Sequence, residues 1–267
     1  MSTALSAVAY QHLQRKLLRA GLRSGAKLSE HGLARELGIS RTPVREAIRR
    51  LESEGMLRQV ASSGTFVAEP DRAQLIEAYE VRMALEAFAV RRAAERMLPQ
   101  QILELQRLCD EMRAAITAFR NAGAALMEGA PLRCYLLADL AFHLLLLRAA
   151  GNRYALKIFC DVHIHSAIFG YRSHQRDLHH LAYVWLAHAR VARAVRRRDA
   201  VAAQRVLETH MQASLAAALA AFDGRRPDAR VAPSPAGLAR AMETLIAEAG
   251  QGAAPRKRAR RPRSKGN

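Results

Sequence analysis

Four side chains with metal-binding chemistry stand where a helical core should be apolar. Asp139 and His143 lie four residues apart in residues 136–145, a segment that is apolar nearly all round, so both should share one buried face. His188 and His210 follow apolar residues at helical spacing in two later segments. A buried carboxylate is costly unless it is paired or binds a metal. One carboxylate and three imidazoles suit a divalent ion, zinc first, with nickel and manganese as alternatives.

The spacing of these residues leaves other interpretations open. An Asp-x-x-x-His pair can form an internal hydrogen bond, and a single His on an apolar face is usually a satisfied core residue. Three His and one Asp around a metal also resemble a hydrolytic or oxygenase centre. However, the sequence shows no accompanying general acid/base carboxylate and no nucleophile elbow. Catalysis is therefore the less favoured hypothesis, and we do not expect an enzyme.

Residues 40–51 predict a second kind of site, a helix with a basic edge. Their sequence is Ser-Arg-Thr-Pro-Val-Arg-Glu-Ala-Ile-Arg-Arg-Leu. Arg41, Arg45 and Arg49 are spaced by four, so their side chains lie about 40° apart in turn around the helix. Such an edge suits DNA, and the apolar residues between the arginines form a core-facing stripe. The alternative is a merely solvated basic face, which leaves the surrounding elements unexplained.

The elements around this helix predict a winged helix-turn-helix. Ser40 should cap the helix, and Gly55 lies just past its end, where a left-handed residue is favoured. Gly64 suits a wing turn, where the backbone approaches a groove or adopts positive φ. The other predicted elements are helices over residues 5–20 and 29–37 and strands over residues 56–60 and 65–68.

These motifs resemble the GntR family of bacterial transcription regulators. The resemblance lies in Lys27-Leu-Ser-Glu30, Leu33-Ala34, residues 37–47 and Gly64-Thr-Phe-Val67. It implies that Arg41 and Arg45 approach DNA in the major groove and that Gly64 lets the wing backbone reach the minor groove. His31-Gly32 stands where relatives usually carry charged residues. The predicted DNA-binding residues are Ser40, Arg41, Thr42, Arg45, Arg49 and Gly64.

After Glu69-Pro-Asp71 the sequence predicts an all-α bundle, because strand-like alternation disappears and Ala, Leu and Arg dominate to about residue 222. The fold class is therefore mainly α. The predicted helices cover residues 72–97, 99–120, 131–150, 152–170, 177–198 and 199–222. The predicted domains are 1–69, the winged helix; 70–222, the bundle; and 223–267, a disordered Pro/Ala/Arg-rich basic tail with one short helix around 238–249.

The bundle resembles the FCD ligand-sensing domain of the FadR-type GntR subgroup. The resemblance rests on Asp139-Leu-Ala-Phe-His143, Ala149-Ala-Gly-Asn152, His188 with Ala194 and Asp199, and His210. It implies that Asp139, His143, His188 and His210 hold a divalent metal and that a small organic acid binds beside it. Arg82 matches an arginine that often faces this acid. From the residues alone, Arg82 is equally well explained by an i,i+4 pair with Glu86 at the helix surface.

The two resemblances together imply an effector-responsive homodimer that binds a palindromic operator in double-stranded DNA. Repression released by the effector is the commoner behaviour in the family, and activation is the alternative. A sensor of the metal ion itself is a further hypothesis. It differs from acid sensing because operator affinity would then change on metal removal alone.

Composition favours a nucleic-acid-binding protein of the cytoplasm. The formal charge is +18 and the isoelectric point about 11.1, which favours a polyanion partner and salt-dependent binding. The three scattered cysteines support neither a disulfide framework nor a thiolate zinc site. No cationic leader precedes an apolar segment, and residues 136–150 are too short and too interrupted to span a bilayer.

The carboxyl-terminal residues 255–267 hold seven basic and no acidic residues. They either add sequence-independent phosphate contacts or form only a solvated end. If they bind phosphate, truncation before Gly252 is expected to weaken binding to operator and random duplex alike and to flatten the salt dependence of the dissociation constant. Binding measured across a salt series tests this, and an unchanged slope would exclude a role for the tail.

Overall fold

The structure of the protein is a computed structural model that describes residues 2–18, 25–69, 71–168, 177–224 and 237–251. Its amino-terminal elements are α1 (Ser2–Leu18), β1 (Lys27–Leu28), α2 (Glu30–Leu37), α3 (Arg41–Ser53), β2 (Leu57–Val60) and β3 (Gly64–Val67). The helices that follow are α4 (Arg72–Arg96), α5 (Pro99–Ala122), α6 (Gly129–Ala150), α7 (Arg153–Ile168), α8 (Leu178–Arg196), α9 (Ala200–Asp223) and α10 (Leu238–Gln251). The predicted class, a winged helix followed by a helical bundle, is confirmed.

The core of the winged helix forms where the apolar stripe of α3 packs against α1. Val44, Ile48 and Leu51 on α3 and Leu13 on α1 have no solvent exposure. Burying each such side chain stabilises the fold by about 1.5–3 kcal/mol. The same packing fixes which edge of α3 faces outward, because positions between the apolar ones must point to solvent.

The sheet has the order β1-β3-β2, and both pairings are antiparallel. Gly64 pairs with Val60 at the tip of the β2–β3 hairpin and has φ +113°, so the wing turn has the positive φ predicted for it. Strand β1 is missing from the sequence prediction because two residues are too short to show an alternating pattern.

The helix caps agree with the sequence at α2 but not at α3. Ser29 Oγ accepts a hydrogen bond from Gly32 N at 3.0 Å, and Gly38 ends α2 in the left-handed region. Ser40 stands at the amino-terminal cap of α3, but its side chain makes no capping hydrogen bond. The predicted cap position of Ser40 is therefore confirmed, but the capping hydrogen bond is absent. Since Ser40 is exposed, water can satisfy the first N–H groups of α3.

Helix α6 is the centre of the bundle and packs against α4 and α5. It begins at Gly129, two residues earlier than predicted, and has 22 residues. By length and composition α6 could cross a membrane, but 56% of its apolar window is buried inside the protein. Asp139 and His143 lie on it, so its apolar character is that of a core helix.

Helix α10 lies within the segment predicted as a disordered tail. Leu238 and Met242 are buried against α6 and α7, so this part of the segment packs on the bundle. The predicted short helix at 238–249 corresponds to α10. The predicted basic run at 255–267 lies outside the described residues.

Helix α7 connects the bundle to the winged helix. Ile164 is 8% exposed and belongs to the hydrophobic cluster that contains Leu13 and Leu51. Five residues earlier, Phe159 is fully buried in the bundle, with its ring 6.3 Å from that of His143. One helix therefore contacts both the core beneath α3 and the polar centre of the bundle.

Candidate metal centre and nucleic-acid interface

Four polar side chains converge in the interior of the bundle. Asp139 and His143 come from α6, His188 from α8 and His210 from α9, and none is more than 4% exposed. One ring nitrogen of each histidine lies within 4.8 Å of the others. The structure thus brings together the four residues that the sequence singled out as metal ligands. Their role as ligands remains a prediction.

The distances between their polar atoms suit a common cation. His188 Nε2 lies 3.2 Å from His143 Nε2 and 3.4 Å from Asp139 Oδ1. His143 Nε2 lies 3.9 Å from the same carboxylate oxygen. Ligands of a tetrahedral zinc ion, with bonds of about 2.0–2.1 Å, stand about 3.3 Å apart. Two of the three distances are close to this separation.

The partners of the outer ring nitrogens determine which atoms can bind a metal. His188 Nδ1 lies 2.7 Å from the carbonyl oxygen of Val184, which can only accept a hydrogen bond, so Nδ1 carries the proton. His143 Nδ1 lies 2.5 Å from Glu86 Oε2, and an ionised carboxylate likewise only accepts. In neutral rings with this arrangement, the two facing Nε2 atoms would present lone pairs to each other. Lone pairs this close repel unless a cation or a proton lies between them.

Burial keeps the imidazole of His210 in the form that binds metals. The pKa of His210 is lowered well below its ordinary value by burial, and His188 and His143 lower it further. Burial alone would raise the pKa of Glu86, but His143 and Arg82 outweigh it and hold that pKa well below its usual range. The centre therefore combines a neutral His210 ring with an ionised carboxylate, Glu86, and a neutral ring is the form in which histidine binds metals.

The ion pair of Arg82 with Glu86 is buried, so the alternative of a pair at the helix surface is wrong. Both side chains are 2% exposed. Arg82 Nε donates to Glu86 Oε1 at 3.0 Å, and Arg82 Nη2 lies 2.9 Å from the same oxygen. Helix α4 packs against α6, α7 and α9, so its polar pair faces inward. The sequence does indicate a buried position for this pair, since the apolar residues Leu75, Tyr79 and Val90 continue the same face at helical spacing.

A cavity of about 60 Å³ lies beside the four converging residues. It has room for about four water molecules, or for a compact organic anion. Asp139 and His210 contact it from the cluster, and Arg82 lines it from α4. The lining residues are Tyr79, Arg82, Leu132, Tyr135, Leu136, Asp139, His180, Leu181, Val184, His210, Met211, Ser214 and Ala218.

The predicted DNA-binding residues of α3 share one exposed surface. Arg41, Arg45 and Arg49 are exposed, while the apolar positions between them are buried. Arg45 Nε donates to Glu30 Oε2 at 2.8 Å, and Arg41 Nη2 lies 3.5 Å from that oxygen. The hydrogen bond from Arg45, helped by Arg41, lowers the pKa of Glu30. The sequence did not predict the pairing of Glu30 with these arginines, because they belong to another helix.

The other predicted DNA-binding residues, Ser40, Thr42 and Gly64, are also exposed. A side chain at Gly64 would be strained by φ +113°, and its Cβ would lie 3.1 Å from Lys27 Cε. Lys27 and Arg58 place their cationic groups 6.0 and 5.5 Å from the ring centre of Phe66. The wing is therefore basic as well as tightly turned.

Comparison with known families matches both halves of the chain. Residues 5–67 match the bacterial regulatory proteins of the gntR family, and residues 77–213 match the FCD domain. The second match spans just over half of the 267 residues. The two matched regions correspond to the winged helix and to the bundle that holds the histidine cluster.

Individual relatives match over shorter regions. The HTH-type transcriptional regulator McbR of Escherichia coli K12 is 39% identical over 103 residues, which cover 39% of this chain and 47% of McbR. The gluconate operon transcriptional repressor of Bacillus licheniformis is 26% identical over 147 residues, covering 55% of this chain and 56% of the repressor. The chain thus spans about half the length of these curated relatives.

A solved structure, that of E. coli McbR/YncC, shares the fold. It is 24% identical in sequence and superimposes with a TM-score of 0.62 over 82% of this chain and 98% of its own. At this level of identity the likeness establishes the fold, while the roles of individual residues must be argued from the geometry above.

Proposed function

Because the chain belongs to the GntR family of bacterial regulatory proteins and carries an FCD domain, we propose that it is a cytoplasmic, sequence-specific DNA-binding transcriptional regulator. The proposed regulator is a repressor whose operator binding is controlled by a small organic acid bound beside a divalent metal ion. The observation that supports effector and metal binding is the convergence of Asp139, His143, His188 and His210 beside a cavity.

In this proposal, helix α3 and the wing form the DNA-binding surface. Arg41, Arg45 and Arg49 face solvent along one edge, where α3 can enter the major groove and guanidinium groups can read guanine edges or contact phosphate. Gly64 keeps the wing narrow enough to approach the neighbouring groove. A homodimer would present two such helices to a palindromic operator, whose half-site spacing then follows from the two-fold symmetry.

The metal would be held by the Nε2 atoms of His143 and His188 and by Asp139 and His210. When bound, a zinc ion supplies a positive charge that neutralises Asp139 and attracts an acid anion. Neutral imidazoles favour zinc, and nickel or manganese would also accept this nitrogen and oxygen set. Glu86 and Val184 O fix the two rings so that their inner nitrogens point at one position.

The cavity, with a volume of about 60 Å³, suits a compact acid. An anion there would lie between the metal-binding residues and Arg82. Such binding influences DNA only if it favours one arrangement of the winged helices, and couplings of this kind are typically about 1–3 kcal/mol. Helix α7 can carry the change, since Phe159 and Ile164 contact the two centres that must communicate.

The metal ion itself is the second candidate for the signal. Four protein ligands can complete a tetrahedral zinc shell, as in sites where no position is left for a ligand. In addition, Arg82 is already paired with Glu86. If the metal is the signal, operator affinity will change on chelation alone, without any acid.

A thermal-shift screen of small mono-, di- and hydroxycarboxylates tests the proposed effector. The screen uses the zinc-loaded protein, the chelated protein and His143→Ala. We expect one class of acid to raise the melting temperature of the zinc-loaded wild type only, because the metal supplies part of its binding site. If no acid shifts any form while chelation itself lowers the melting temperature, the acid-sensor proposal is wrong and the metal is structural or is the signal.

A further inference from the structure

Glu86 occupies a position between the cavity and the metal-binding cluster. Its Oε1 atom accepts a hydrogen bond from Arg82, which lines the cavity. Its Oε2 atom lies 2.5 Å from Nδ1 of His143, whose other nitrogen faces His188 and Asp139. One carboxylate thus contacts both a cavity residue and a cluster residue through different oxygens.

The burial of Glu86 makes this arrangement restrictive. A carboxylate that is 2% exposed requires partners for both oxygens, because it cannot turn to solvent. Oε1 accepts a hydrogen bond from Arg82, and Oε2 has an ion-pair contact with Nδ1 of His143. The ring of His143 is also enclosed, with Phe142 at 5.7 Å and Phe159 at 6.3 Å between ring centres. The orientation of His143 therefore depends on the position of Glu86.

We propose that Glu86 is a positioning residue that holds His143 for metal binding and Arg82 at the cavity wall. By accepting the Nδ1 proton of His143 it keeps the Nε2 lone pair directed at the metal position. By pairing with Arg82 it keeps the guanidinium beside the cavity. This inference rests on the proposed function, because it takes the His143 cluster to be a metal centre.

Cobalt(II) binding to Glu86→Gln tests the proposal directly. Glutamine keeps the size of the side chain but removes its charge, and it can donate as well as accept at His143. Supporting carboxylates typically contribute about 10- to 100-fold to metal affinity. We therefore expect cobalt affinity, measured by competition with a chromophoric chelator, to fall by about that factor. The visible absorption spectrum of bound cobalt should change too, because the ring of His143 is no longer fixed.

The matched control is Glu80→Gln. Glu80 lies on the same helix but is exposed, so the identical substitution should leave both cobalt affinity and spectrum unchanged. Glu86→Asp should recover part of the affinity, since it restores the carboxylate at a shorter reach. A structural role would instead lower the melting temperature of the metal-free protein without changing the affinity or spectrum of the folded fraction, and that result would overturn the proposal.

A double variant covers the case in which Glu86→Gln does not fold. Arg82→Gln combined with Glu86→Gln removes both buried charges at once and leaves no unpaired ion, which cores tolerate better than half of a pair. Its cobalt affinity should also fall by about 10- to 100-fold. If wild type itself binds no cobalt, the proposed metal centre fails. If wild type binds and the variants bind equally with the same spectrum, only the role of Glu86 fails.

Discussion

Replacement of His188 by alanine is expected to lower zinc affinity by at least about 100-fold. Four-ligand zinc sites bind with about 10–16 kcal/mol, so an average ligand contributes about 3 kcal/mol or more. His188 Nε2 also lies within 3.4 Å of both His143 Nε2 and Asp139 Oδ1. Zinc titration in competition with a chromophoric chelator measures the effect, together with loss of the stabilisation that zinc gives to the wild type.

His179→Ala is the matched control for this experiment. His179 lies on the same helix, α8, but is exposed, so removal of its imidazole should leave zinc affinity unchanged. Equal losses in the two variants would show that zinc binds at surface histidines rather than in the bundle. Wild-type affinity in His188→Ala would contradict the proposed centre.

Replacement of Arg45 by alanine is expected to weaken operator binding by about 1–3 kcal/mol while the bundle stays folded. Arg45 lies at the middle of the exposed edge of α3, and its guanidinium can leave Glu30 for a base or a phosphate. The pair with Glu30 is at the surface and contributes little to stability. Fluorescence anisotropy at fixed salt measures the loss, on an operator selected with the wild-type protein from random duplexes.

Arg107→Ala supplies the charge-matched control. Arg107 lies on α5, where it pairs with Glu104 and Glu111, so its loss changes the net charge equally without touching α3. A similar decrease in both variants would mean that only net charge was measured. If Arg45→Ala binds the operator with wild-type affinity, Arg45 does not contribute to DNA binding.

Local patterns predicted the helices and the hairpin of the winged helix, but not the two-residue strand β1. The positions of Val44, Ile48 and Leu51 on α3 determine its buried face, and therefore also its basic edge. The strand pair with Gly64 at the hairpin followed from its turn chemistry. In contrast, Ser40 shows the limit of such rules, because a residue suited to capping is not required to cap when the helix end is open to water.

The polar interior of the bundle was only partly predictable. An apolar pattern all round α6 indicates a central helix, which is what the structure shows. Spacing could not show that α8 and α9 bring His188 and His210 to the same point, because that depends on how the helices pack. The contacts of Glu86 could not be predicted either, because a Glu four residues after an Arg is also a common pattern on solvent-exposed helix surfaces.

The contact of Ile164 with the winged helix has a consequence for exchanging domains between regulators. A chimera that joins a foreign winged helix at residue 70 removes Leu13 and Leu51, which belong to the same hydrophobic cluster as Ile164. Unless the foreign domain packs well against this isoleucine, the interface contains a cavity or a steric clash. Such a defect in a core lowers the free energy of unfolding by about 1–5 kcal/mol. The residues of α7 that contact the winged helix must therefore be exchanged together with it, although they follow it by about a hundred positions in the chain.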